Sequence, residues 1–72
     1  MFSKKIFSQR VLELRKQKKI TQSQLGEIVG LSQKAISNME KAERASSIEV
    51  IYALAEYFGV SIDYLVGKSN VQ

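Results

Sequence analysis

The chain has 72 residues, 44% hydrophobic and 25% charged, with a formal net charge of +4. This predicts one small soluble domain with a marginal core, since a domain of this size buries only about 60% of the surface its unfolded chain exposes. Cysteine and histidine are both absent, which excludes disulfides, thiolate zinc sites and thiol catalysis and removes the commonest general base and metal ligand.

Apolar spacing is helical from one end to the other. Phe7, Val11 and Leu14 follow i, i+4, i+7 on a first helix over about residues 5–18, with Ser3 as its candidate cap. Arg15, Lys16, Lys18 and Lys19 crowd its end, where positive charge complements the carbonyl dipoles. Thr21 opens a second helix over about 22–29, and Gln24 three residues later completes a capping-box pattern. Gly30 is placed to end that helix in the left-handed conformation. Leu31 and Ser32 finish a tight turn, with Ser32 capping a third helix over about 33–41. Ser46 and Glu49 read as another capping box. They launch a fourth helix over about 47–58 that carries Ile48, Ile51, Leu54, Ala55 and Phe58 and stops at Gly59. Ser61 caps a last helix over about 62–66 with Ile62, Leu65 and Val66, stopped by Gly67. Residues 69–72 read as a frayed tail behind a single domain over 1–68. Five short helices and no convincing strand make the chain all-α, and helices this short need packing to persist.

Charge is unevenly distributed. Lys4, Lys5, Arg10, Arg15, Lys16, Lys18 and Lys19 face only Glu13 in residues 1–19, a balance of +6. Residues 20–47 are neutral, and 48–72 carry −2 from Glu49, Glu56 and Asp63 against Lys68. A basic front with a mildly acidic back suggests a polyanion partner on one face and another task on the other. No apolar h-region follows the N-terminal lysines and no run nears the roughly 18 apolar residues of a membrane span. A cytoplasmic protein with no membrane partner is therefore expected.

Residues 22–41 carry the most informative pattern. Leu25, Gly26, Val29, Gly30, Leu31, Ile36 and Met39 provide what two helices packed steeply through a three-residue turn require. A small residue on the first helix admits the second, a residue tolerant of positive φ makes the corner, and apolar positions pin both to the rest. On the third helix, Ala35, Ile36, Met39 and Glu40 gather on one side, while Lys34, Ser37, Asn38 and Lys41 fall at i, i+3, i+4, i+7 on the other. Gln33 projects from the N-terminal end. That second face is polar and acid-free, and Gln, Asn and Lys are side chains that bond base edges and phosphates. The plainer alternative is an ordinary solvated face. Glu40 points with the apolar group, and an inward charge is normally paired. Arg15, on the inner edge of the first helix beside Val11 and Leu14, is the nearest sensible partner. The plainer alternative there is that both side chains reach water.

From Val11 to Gly67 the chain resembles the Cro and phage-repressor type helix-turn-helix family, also called the xenobiotic-response-element family. The runs that carry the resemblance are LRKQKKITQSQLGEIVGLSQKAISNMEK and LAEYFGVSIDYLVG. The resemblance implies a compact five-helix repressor-like domain, with its helix-turn-helix at helices two and three, that binds operator DNA as a dimer. It implies Gln33, Lys34, Ser37 and Asn38 at the base edges of the major groove. It places Gln22 on a phosphate, bracing the recognition helix, with Lys41 and Arg44 on the DNA backbone. It also supports an Arg15–Glu40 pair, and a dimer interface through Ile62, Tyr64 and Leu65 of the last helix. Three positions depart from the family pattern. Gly26 stands for the usual alanine at a cost of about 1 kcal/mol in helix propensity. Ala42 stands for the glycine that follows helix three, and Ser46 for the common proline. Those last two leave the path of residues 42–46 open between an extended third helix and another route.

The leading expectation is a sequence-specific double-stranded DNA-binding transcriptional regulator, a repressor reading a pseudo-palindromic operator as a homodimer. The alternative is a partner-binding accessory protein or antitoxin with the same fold, using the acidic C-terminal third and Tyr52, Tyr57 and Tyr64. An enzyme is not expected. Glu13, Glu27, Glu43, Glu49 and Glu56 read as solvated surface, Asp63 favours the dipole of the last helix, and no glycine-rich phosphate loop accompanies Lys34. Cofactors and metals are not expected.

Overall fold

The computed structural model describes residues 3–43 and 46–72. Five helices follow one another: α1 (Lys4–Lys18), α2 (Gln22–Val29), α3 (Gln33–Glu40), α4 (Ile48–Phe58) and α5 (Ile62–Leu65). No strand occurs among the described residues, and no helix is long and apolar enough to cross a membrane.

Every helix opens on a hydroxyl cap. Ser3, Thr21, Ser32, Ser47 and Ser61 each accept a hydrogen bond from the backbone N–H three residues on, which satisfies one of the donors a helix start leaves unpaired. At Thr21 the capping box is complete, with the Gln24 side chain accepting from the Thr21 N–H at 2.8 Å. The cap of α4 is Ser47, not Ser46, whose pairing with Glu49 was expected from sequence. Either serine has the right chemistry, and the one that precedes the first helical residue, Ile48, takes the role. The helices close alike, on a residue in the left-handed region: Lys19, Gly30, Ala42, Gly59 and Gly67. After α3, the Ala42 N–H reaches the Met39 carbonyl at 3.2 Å and the Glu43 N–H reaches the Asn38 carbonyl at 3.1 Å. These two bonds define a Schellman closure. The third helix therefore stops at Glu40 and is not extended, although Ala42 stands where glycine is usual.

The core is formed by Phe7, Val11, Leu14, Leu25, Ile36, Met39, Ile51, Leu54, Ala55, Phe58 and Leu65. Each fully buried large side chain there contributes about 1.5–3 kcal/mol. α1 packs against both α3 and α5. The segment after α5 turns back toward that helix. The Ser61 N–H donates to the Gln72 carbonyl at 2.9 Å, and Gln72 Nε2 to the Tyr64 hydroxyl at 3.3 Å. Arg10 of α1 supplies the other side of this hook. Its guanidinium lies 4.1 Å from the centroid of the Tyr64 ring and donates to the carbonyls of Tyr64 and Ser69 and to Asn70 Oδ1.

Candidate nucleic-acid interface

α2 and α3 meet at a corner made by Gly30, with φ +79°, and closed by the Leu31 N–H on the Gly26 carbonyl at 2.8 Å. Gly26 is buried against this turn. A Cβ added there would collide with the Leu31 carbonyl oxygen, so the turn packs onto α2 more closely than an alanine would allow. Ile36 and Met39 turn inward, 0% and 2% exposed. Their burial fixes which residues of α3 face out: Gln33 and Lys34 are exposed at the N-terminal end, and Ser37 and Asn38 are half-buried beside them. Lys41 is exposed at the far end. Arg44, expected on the phosphate backbone, lies outside the described residues.

Behind that face sits a connected polar group. Arg15 Nε donates to Glu40 Oε2 at 2.6 Å and Arg15 Nη2 to Glu40 Oε1 at 3.1 Å, while Nη1 reaches the Ile20 carbonyl at 2.9 Å. The two side chains are 14% and 5% exposed. This is a bidentate pair in a largely dry setting, the geometry in which an arginine–carboxylate contact is strongest. Glu40 Oε1 also accepts from Gln22 Nε2 at 3.0 Å, and Gln22 Oε1 in turn accepts from Gln33 Nε2 at 3.5 Å. An ionised carboxylate only accepts, so Glu40 fixes which way the Gln22 amide faces. Gln22 thus turns its oxygen toward Gln33. The electrostatic result is that the acid on α3 is neutralised from inside, and its outer face shows amides, a hydroxyl and lysines only.

The remaining predicted site residues divide. Ile62 and Tyr64 are half-buried on α5, with Tyr64 engaged by Arg10. Leu65 is 0% exposed within the chain's own core. It has no area left to bury against a second copy, so it does not belong to a dimer face. Of Tyr52, Tyr57 and Tyr64, Tyr52 alone is exposed. The ring of Tyr57 lies 5.2 Å from that of Phe58 with Lys18 Nζ 5.4 Å from its centroid. Sequence reasoning missed Arg10 and Ser8. Both were hidden because their partners lie 31 to 60 positions away, with no local pattern to mark them.

The Helix-turn-helix family model matches residues 11–65. An uncharacterised helix-turn-helix type transcriptional regulator, YobD of Bacillus subtilis, is 31% identical over 65 residues, covering 90% of this chain and 58% of that protein. The immunity repressor of Bacillus phage phi105 is 30% identical over 63 residues, covering 88% and 44% respectively. The P22 c2 repressor, in a crystal structure with a synthetic operator, superposes with a TM-score of 0.83 at 36% identity, covering 89% of this chain and 97% of that one. The chain spans about half the length of the curated relatives it matches. With the family model covering most of its length and the corner between α2 and α3 in place, the chain belongs to the helix-turn-helix family of the Cro and phage-repressor type.

Proposed function

We infer that the protein is a sequence-specific double-stranded DNA-binding transcriptional regulator that acts as a repressor in the cytoplasm, by binding and not by catalysis. The observation that carries this is the acid-free outer face of α3, with Glu40 held inside by Arg15 and Gln22. With α3 in the major groove, Gln33, Lys34, Ser37 and Asn38 meet base edges, where glutamine and asparagine match adenine and lysine matches guanine. Lys41 and Arg44 approach phosphates. So does Gln22, whose Nε2 keeps a second proton beyond the one given to Glu40. The regulator and repressor names of the relatives, and the operator bound to the P22 c2 repressor, support the reading. Two copies, meeting through the α5 side at Ile62 and Tyr64, would set their recognition helices about 34 Å apart on a pseudo-palindromic operator.

The test is selection of bound duplexes from a randomised library by the purified protein, at two salt concentrations. The expected result is a motif with two-fold symmetry, and affinity that falls by about 10³–10⁵ between 50 and 200 mM salt if six to ten phosphates are neutralised. Salt-sensitive binding with no motif overturns the reading.

A further inference from the structure

Ser8 is buried, 3% exposed, inside the packing of α1. Its hydroxyl lies 2.7 Å from the Lys4 carbonyl one turn back and 2.6 Å from the Met39 carbonyl of α3. A hydroxyl has one proton to give. The bond to Lys4 is one that a serine in any helix can make, whereas the bond to Met39 joins two elements. The Met39 carbonyl stands in the last turn of α3, where carbonyls lose their partners within the helix. The Ala42 N–H, from a residue held at φ +61°, also reaches the Met39 carbonyl, at 3.2 Å. Two turns further along α1, Arg15 holds Glu40, the neighbour of Met39. The end of α3 is thus tied to one helix at two adjacent residues, by a neutral bond and a charged one.

We propose that Ser8 is a positioning residue for base reading: its hydroxyl holds the C-terminal end of α3 on α1 and so sets the angle at which Gln33 and Lys34 meet the bases. This rests on the DNA-reading function inferred above. Gln33 stands about 10 Å along the axis from Glu40, so a pivot of about 10° at the tied end carries it by about 2 Å. That distance exceeds what a hydrogen bond to a base edge tolerates. A lysine on a phosphate follows such a shift, because its stem is long and its charge acts without fixed geometry. Loss of the tie therefore weakens binding to the chosen sequence more than binding to DNA in general.

The experiment compares Ser8→Ala with Val11→Ala, a core truncation on the same helix that leaves both ties intact. The probes are a labelled duplex carrying the sequence that the wild type selects from a random library and an unrelated duplex of equal length. Both variants are measured at a temperature where circular dichroism shows them folded. Ser8→Ala is expected to lower the ratio of specific to non-specific affinity about five- to tenfold, while Val11→Ala keeps the wild-type ratio even where its Tm is lower. Ser8→Cys, which keeps a weak donor and serves if the alanine variant does not fold, falls between. An unchanged ratio in the Ser8 variants, or an equal loss in Val11→Ala, overturns the proposal. If the wild type selects no sequence at all, the DNA-reading function fails and this proposal fails with it.

Discussion

Ala42 occupies a backbone region that costs an L-residue with a side chain about 1–2 kcal/mol. It is held there by the closure of α3. Glycine at this position removes the strain but adds freedom to the unfolded chain, worth about 0.4–1 kcal/mol in the other direction. The strain is the larger effect, so Ala42→Gly is expected to stabilise the domain by about 0.5–1 kcal/mol. In a domain of this size that appears as a Tm several degrees higher in thermal denaturation. Gly26 presents the opposite case. Alanine is the better helix former by about 1 kcal/mol, yet its Cβ would collide with the Leu31 carbonyl, which is backbone and cannot swing aside. Gly26→Ala is therefore expected to destabilise by about 1–3 kcal/mol, the usual cost of overpacking, and equal or greater stability in urea denaturation would contradict the packing described.

At the scale of elements, helix starts and stops depend on groups within four residues of one another, and that is why they were legible in the sequence. Thr21 with Gln24, Ser32, Ser61 and the glycine stops could be placed from side-chain chemistry alone. The start of α4 is the exception, since Ser46 and Ser47 are chemically equal and only the backbone at Ile48 selects between them. Ser47→Ala is expected to cost about 1 kcal/mol and Ser46→Ala little, by chemical denaturation of each. On α3, the acid-free face was legible from spacing, and the Arg15–Glu40 pair from the need of an inward charge for a partner. Asn38→Ala and Lys34→Ala are expected to cost about 1–3 kcal/mol at one base position each. An unchanged ranking of operator variants would remove that residue from the reading set. The ties made by Ser8 and Arg10 were not legible. Nothing on α1 distinguishes a serine that bonds α3 or an arginine that bonds the C-terminal segment from ones that face water.

For the whole molecule, Arg10 links the middle of α1 to the chain that follows α5, so that the last helix is packed below, capped at its start and clasped behind. Its contacts are a cation–π interaction and hydrogen bonds from a charged donor, partly open to solvent, for which a loss of about 1–2 kcal/mol on Arg10→Ala is expected. The localised signature is faster amide exchange at Ser61, whose N–H depends on Gln72, with little change at Val60, whose N–H is bonded to Ala55. Equal exchange at both sites would show that the clasp contributes nothing of its own.

The close corner between α2 and α3 bears on how this protein could be re-targeted. Transplanting only residues 33–40 from a relative leaves the glycine and its turn intact, so the imported side chains inherit this protein's approach angle and not the donor's. A chimera that also takes alanine at position 26, from a donor that has it, must bring the donor's turn at 30–32 with it. Position 26 and its turn are therefore exchangeable as a set, which makes the boundary of the transplanted segment a determinant of which sequence the hybrid selects.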